Sequence, residues 1–119
     1  MNQTDLPTIR QFAKNGAFSI SNHAYVQMLS RNISYDDVER ILTSQTNQII
    51  ECQSPSQTPG KKHKHERVLI YDPYDSKDAI IIFVMLFTPS PDIRIVTVEN
   101  VDEAKWARED GKIPCLVRK

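Results

Sequence analysis

Two side chains on one predicted helix have the chemistry to act together on a phosphate. His23 and Arg31 lie eight residues apart, so in a helix they share one polar stripe with Gln27 between them. The positive end of the helix dipole disfavours a protonated imidazole, and a neutral histidine is what a general base requires. Arg31 is a permanent cation whose fork of donors suits a phosphate. The structural alternative is that His23 caps the helix or contacts a strand, while Arg31 pairs with Asp36 or Asp37.

A basic segment before a predicted strand offers further contacts to a phosphodiester backbone. Residues 61–67 include four Lys or Arg, two His and a single Glu. We predict RNA contacts by Lys61, Lys62, Lys64 and Arg67. Tyr71 shares a strand face with Arg67 and is predicted to be available for stacking on a base. The alternative interpretation is a solvated, charged loop that keeps an edge strand soluble.

Metal and cofactor chemistry has weaker support in the sequence. His63 and His65 would point the same way on a strand, and Cys52 is a possible third ligand for a structural zinc ion. However, no C-x-x-C or H-x-x-x-H pair accompanies them, and the three glycines do not form a phosphate-binding loop. We therefore predict no metal site and no cofactor.

The elements that position these residues follow from periodicity and caps. Helical spacing predicts a helix over 6–14, a second over 23–30 with Ser21 as its N-cap, and a third that begins after Ser34. In the second helix Ala24, Met28 and Leu29 are expected to face the core. Extended segments follow, separated by turn residues, and are predicted as four strands: 47–53, 66–72, 78–87 and 92–99.

The fold class follows from the order of these elements. Asn100 and Glu103 form a capping-box pattern, which predicts a short C-terminal helix through Arg108 that contains Trp106 as a packing anchor. Helices that precede a run of consecutive strands indicate an α+β fold, with N-terminal helices packed on a mainly antiparallel four-stranded sheet. The segment over 80–87 is apolar on both faces, as in a central strand that is covered on both sides.

Composition is typical of one globular domain. The chain has 119 residues, 25% charged and 39% hydrophobic, and we predict a single domain over 1–119 with its core over 6–110 and a mobile loop over 53–64. The net charge of zero means that any polyanion must be bound by a local patch. No apolar run is long enough for a bilayer, no signal peptide is apparent, and two cysteines do not make a disulfide framework. These features predict a cytoplasmic protein without a membrane partner.

Several short motifs resemble a known family. They are Phe18-Ser19-Ile20-Ser21-Asn22-His23-Ala24, then Met28, Arg31, Ile33-Ser34 and Asp37-Val38, and finally Ile95-Val96-Thr97-Val98. This pattern resembles domain-of-unknown-function family 4258, a small prokaryotic domain related by proposed fold to the RelE-like and BrnT-like toxin ribonucleases. The resemblance implies that the helices pack on a curved antiparallel sheet of RelE/barnase-like architecture.

The resemblance also implies a reaction and its residues. His23 and Arg31 match positions proposed for the family's active cleft, and Thr97 matches a polar position on the sheet. The implied reaction is metal-independent RNA cleavage, in which the 2′-hydroxyl attacks the adjacent phosphate, and the implied partners are RNA and a cognate antitoxin. The alternative function is a noncatalytic domain on the same scaffold that binds a protein or RNA. Without the resemblance, Thr97 is equally explained as an ordinary strand residue whose hydroxyl finds a hydrogen-bond partner in a neighbouring residue.

Overall fold

Three helices and one short strand form the N-terminal part of the protein. The computed structural model describes residues 6–54, 66–77, 79–87 and 92–119, with only the backbone described at 86 and 87. The first elements are α1 (Leu6–Lys14), β1 (Phe18–Ile20), α2 (Asn22–Arg31) and α3 (Tyr35–Thr43). Ser21 caps α2, and Ser34 forms a capping box with α3. The three helices and both serine caps are therefore confirmed. Within α2, Ala24 and Met28 are buried as predicted, but the prediction that Leu29 faces the core is wrong, because its side chain is 67% exposed.

The strands form a five-stranded mixed sheet in the order β1-β5-β4-β3-β2. The long strands are β2 (Gln48–Gln53), β3 (Arg67–Tyr71), β4 (Ile80–Phe87) and β5 (Asp92–Asn100), and each pairs antiparallel with the next. The predicted α+β class and antiparallel meander are confirmed. The prediction of four strands is wrong, because β1 joins the sheet parallel to β5. A strand of three residues is too short for its alternation to indicate a pairing partner.

The central strand β4 is apolar on both faces because both faces are covered. Its residues Ile80, Ile82 and Val84 belong to the core cluster that includes buried residues of all three helices. Ile81 and Phe83 belong to a second cluster on the opposite face of the sheet. Burial on both sides explains why this strand reads as an uninterrupted apolar run.

The second face is covered by a small two-stranded sheet instead of the predicted C-terminal helix. Trp106–Arg108 form β6, which pairs antiparallel with β7 (Leu116–Arg118). Trp106 and Leu116 are buried against the second face of the main sheet, while Arg108 and Arg118 are exposed. Burying these two large apolar side chains outweighs the local preference of a capping-box pattern for a helix. The prediction that Trp106 is a packing anchor agrees with its burial.

Two further findings complete the fold. The predicted mobile loop over 53–64 lies outside the described residues, apart from 53 and 54. Within the described ranges, none of the helices has the length and apolar character needed to cross a membrane.

Candidate functional site

The polar stripe of α2 is fixed to the sheet through Gln27. The side-chain Oε1 of Gln27 accepts a hydrogen bond of 2.9 Å from the backbone N–H of Val98 in β5. Ser21, at the start of the helix, donates its backbone N–H to Ile95 and its hydroxyl to the carbonyl of Val96. Since β1 pairs with β5 only as far as Ile95, these contacts place α2 along the next part of the β5 edge. The stripe therefore has a fixed position beside the sheet.

His23 and Arg31 occupy the two ends of this stripe, and both are exposed. Each is one helical turn from Gln27, so their backbones are about 12 Å apart along the helix axis. Neither side chain has a hydrogen bond or ion pair with another residue in the described part of the chain. The N-cap is Ser21 rather than His23, and the carboxylate of Asp37 pairs with Arg40 and Lys77 rather than with Arg31. Both groups are thus accessible to a ligand that spans the helix.

Thr97 lies on β5 next to the residue that Gln27 contacts. It is half-buried and stands opposite Phe83 of β4, on the sheet face that turns away from the helices. An irregularity in the β4–β5 register between Phe83 and Val84 leaves Val96 without a paired residue on β4. Thr97 and the α2 stripe therefore adjoin the same segment of β5, but the threonine side chain lies on the sheet face opposite the one on which α2 packs.

Arg67 is a partly desolvated cation on the same sheet face. Its Nη2 donates to Oε1 of Gln53 at 2.9 Å, and its guanidinium carbon lies 5.9 Å from the centre of the Phe83 ring. The buried Nε has no hydrogen-bond partner, and no carboxylate of the described residues pairs with the guanidinium. Burial lowers the pKa of Arg67, in keeping with a charge that lacks compensation. An arginine in this state is a candidate anion ligand.

Arg94 is a second cation on this face, and the sequence interpretation missed it. The register places Arg67 opposite Met85 and Met85 opposite Arg94, so the three side chains form one row across β3, β4 and β5. The backbones of the two arginines are two strand spacings apart, about 10 Å. Arg94 is exposed. Their alignment depends on the register of three strands, which no local sequence pattern encodes.

Tyr71 is not available for the role predicted from the sequence. Its side chain is 1% exposed and belongs to the cluster beneath β6 and β7, and its hydroxyl accepts a hydrogen bond of 2.8 Å from Arg108. A base therefore finds no free ring face. Strand alternation identified the face but not the small sheet that covers it.

The remaining predicted ligands cannot be placed. The lysines predicted to contact RNA lie outside the described residues, as do the two histidines of the zinc hypothesis: Lys61, Lys62, Lys64, His63 and His65. Both the RNA contacts of the lysines and the alternative zinc site stay predictions.

A cavity of about 900 Å³ lies elsewhere on the protein, beside the edge strand β2. Its lining includes Arg10, Gln48, Tyr74, Ile113 and Cys115. None of its lining residues belongs to α2 or β5. In the sheet, β5 is separated from β2 by the two strands β4 and β3. The cavity is therefore separate from the candidate site.

Most of the chain, including α2 and β5, matches one known protein family. The model of the family described as "Domain of unknown function (DUF4258)" matches residues 20–100, which is 81 of the 119 residues. The chain belongs to this family. No curated protein and no solved structure is significantly similar to it. The matched range of the DUF4258 domain includes α2, α3, the strands β2–β5 and all three of His23, Arg31 and Thr97, and it excludes α1, β6 and β7.

Proposed function

We propose that this DUF4258 protein is a small ribonuclease that cleaves RNA without a metal ion. The observation that carries the proposal is the exposure of His23 and Arg31 at the two ends of a helix stripe that Gln27 anchors to β5. An accessible imidazole can serve as a general base and an accessible guanidinium can offset charge on a phosphate, which are two roles that metal-independent RNA cleavage uses. The arginines on the opposite face of the sheet, beyond the β5 edge, add positive charge along which an RNA backbone is held.

The proposed reaction is an intramolecular displacement at phosphorus. His23 accepts the proton of the ribose 2′-hydroxyl as the bond between the 2′-oxygen and phosphorus forms, and the bond from phosphorus to the 5′-oxygen breaks. The departing 5′-oxygen takes a proton from water, and His23 releases its proton to water. The products are a 2′,3′-cyclic phosphate and a 5′-hydroxyl end. General base catalysis of this kind contributes about 10²- to 10⁴-fold to the rate.

The other residues of the site have binding roles in this proposal. Arg31 offsets charge that develops on the phosphorane oxygens, and the hydroxyl of Thr97 donates a hydrogen bond to the RNA. Arg67 and Arg94 hold phosphates that flank the reacting one. Because Arg31 and His23 lie on successive turns either side of Gln27, the reacting phosphate is placed above Gln27, within reach of both.

The proposal extends to the biological role implied by the family resemblance. The protein would be a cytoplasmic toxin, related to the RelE-like and BrnT-like ribonucleases, and a cognate antitoxin would restrain it. A small neighbouring reading frame whose product suppresses growth arrest by this chain is the expected companion.

Cleavage is tested with a short labelled RNA that contains one 2′-deoxy nucleotide. With EDTA present, the protein is expected to cut the all-ribose RNA into fragments ending in 2′,3′-cyclic phosphates. A deoxy nucleotide on the 5′ side of the scissile phosphate should block cleavage there, because the attacking hydroxyl is missing. Cleavage that continues at the deoxy position, or that stops in EDTA, would contradict the mechanism.

A second candidate function is RNA binding without catalysis. The half-buried guanidinium of Arg67, whose Nε has no acceptor, favours this function because it accounts for an anion site without any proton transfer. In that case the labelled RNA binds the protein and stays intact at every protein concentration, and replacing His23 leaves the affinity unchanged.

A further inference from the structure

A bulge in β5 changes which side chains of that strand share a face with α2. The β4–β5 register skips Val96, so Val96 and Thr97 both lie on the face that packs against β6 and β7. Beyond the bulge, Val98 is buried in the core cluster that contains the helix residues. Because side chains alternate along a strand, Asn100 lies on the same face as Val98, at the end of β5.

The position of Glu99 supports this assignment. The pKa of Arg118 in β7 is raised mainly by the hydrogen bonds that Arg118 donates to Glu51, and the nearby charge of Glu99 adds to the effect. Since β7 covers the second face of the sheet, Glu99 lies on that face. Its neighbour Asn100 therefore lies on the helix face.

The helix α2 runs beside β5 in the same direction as the strand. Ser21 contacts two carbonyl groups at the bulge, and Gln27 contacts the N–H of Val98. Arg31 is one helical turn beyond Gln27, which is about 6 Å along the axis. Asn100 is two residues beyond Val98, which is about 7 Å along the strand. Arg31 is therefore level with Asn100.

The segment that precedes β4 supports the same alignment. The Nζ of Lys77 donates to the carbonyl of Asn32, the residue that follows α2, at 3.5 Å. Ile80, three residues further along the chain, pairs with Asn100. The end of α2 that carries Arg31 therefore adjoins the end of β5 that carries Asn100.

We propose that Asn100 binds the same RNA phosphate as Arg31. Both side chains are exposed, and neither has a hydrogen bond or ion pair with another described residue. The amide of Asn100 donates to one phosphate oxygen, and the guanidinium of Arg31 binds another. This inference rests on the proposed function, because that function places a phosphate at the α2 stripe. Thr97 lies on the opposite face and does not reach this phosphate.

The first test is an NMR titration with inorganic phosphate, which measures binding without cleavage. The side-chain N–H signals of Asn100 and the backbone N–H signal of Arg31 should shift together, with one dissociation constant. Asn100→Asp replaces both donors by a negative charge and should weaken phosphate binding at least about tenfold.

Asn15→Asp is the matched control. It makes the same change of charge at an exposed asparagine, just before the strand that pairs with the beginning of β5. This control should bind phosphate as tightly as the parent. Asn100 signals that do not move with phosphate, or equal losses of affinity in Asn100→Asp and Asn15→Asp, would overturn the proposal.

The second test compares RNA cleavage by parent and Asn100→Asp. Because Asn100 is exposed, the variant should keep the melting temperature of the parent, and its kcat/KM should fall at least about tenfold. If RNA is cleaved and the variant matches the parent, the role of Asn100 is refuted while the ribonuclease function stands. If phosphate shifts both residues but RNA stays intact, the shared phosphate site stands and the ribonuclease function is refuted.

Discussion

Replacing Asp37 by alanine should destabilise the protein substantially without touching the candidate site. The Asp37 side chain is buried, and its Oδ2 accepts from the backbone N–H of Ser34 at 2.9 Å and from Lys77 at 2.7 Å. Its Oδ1 accepts from Arg40 at 2.9 Å. The carboxylate therefore completes the cap of α3 and ties that helix to the β3–β4 connection. One acidic side chain serves both functions.

Asp37→Ala is expected to lower the free energy of unfolding by about 2–3 kcal/mol. Removing the side-chain half of the capping box costs about 1 kcal/mol. The two charge-assisted hydrogen bonds add about 1–2 kcal/mol together, less than a fully buried pair would, because Lys77 and Arg40 remain nearly half exposed and regain water. For a domain of this size that loss lowers the melting temperature by about 10 °C. The single tryptophan, Trp106, is buried and provides the fluorescence signal for urea and thermal unfolding.

The dependence of this effect on pH has a defined sign. Burial, the largest single influence, raises the pKa of Asp37, but the hydrogen bonds from Lys77, Ser34 and Arg40 together outweigh it and hold the pKa well below its ordinary value of 3.8. Above the ordinary pKa the carboxylate is charged in both states, so its contribution is complete. Below it the unfolded chain binds the proton first, so the contribution fades. The stability gap between parent and Asp37→Ala should therefore narrow as the pH falls below about 4.

Asp36→Ala is the matched control, since Asp36 is an exposed acid in the same helical turn. It should cost about 0.5 kcal/mol, mainly through the helix dipole. The reasoning fails if Asp37→Ala costs less than about 1 kcal/mol, or if its stability gap is the same at neutral and strongly acidic pH.

The remaining predictions concern the anchor and the cations of the site. Gln27→Ala should leave the N–H of Val98 without its side-chain acceptor and lower the free energy of unfolding by about 1 kcal/mol. Hydrogen exchange of the Val98 amide, followed by NMR, should then be faster than in the parent. An unchanged exchange rate would show that the Gln27 contact does not hold α2 to β5. Arg67→Gln and Arg94→Gln should each weaken binding of a single-stranded RNA and reduce the slope of log K against log salt by about 0.7. Lys14→Gln on the end of α1 should leave the slope unchanged, and equal slopes for all three variants would contradict the sheet-face site.

Local signals in the sequence were sufficient for the helices and the meander. Ser21 and Ser34 are followed by helical apolar spacing, and each side chain accepts the backbone N–H that an N-cap should accept. The long strands are bounded by turn residues and have enough residues for alternation to show. These features depend on neighbours in the chain, so sequence reasoning identifies them.

Features that depend on distant packing were not predicted. The parallel pairing of β1 with β5 joins residues more than seventy positions apart. The apolar run over 80–87 indicated a second buried face, but not that Trp106 and Leu116 would cover it from a two-stranded sheet. The capping-box pattern of Asn100 and Glu103 was a local signal that tertiary packing overrode.

The candidate site also combines features that follow from local sequence with features that depend on distant packing. The shared stripe of His23 and Arg31 follows from helical spacing alone, and both side chains are exposed as a site requires. The contact of Gln27 with β5 and the alignment of Arg67 with Arg94 depend on register, which no local pattern encodes. The burial of Tyr71 depends on the same unexpected β6–β7 cover.

The most direct test of the central claim is the rate of RNA cleavage by parent and His23→Ala proteins in EDTA, with thermal unfolding measured on the same samples. The imidazole is exposed and has no partner in the described residues, so the variant should melt within about 1 °C of the parent and cleave at least about 100-fold more slowly. Asn22→Ala, an exposed neighbour in the same helical turn, should cleave at the parental rate. Equal cleavage by parent and His23→Ala would contradict the account, as would a parent protein that leaves RNA intact.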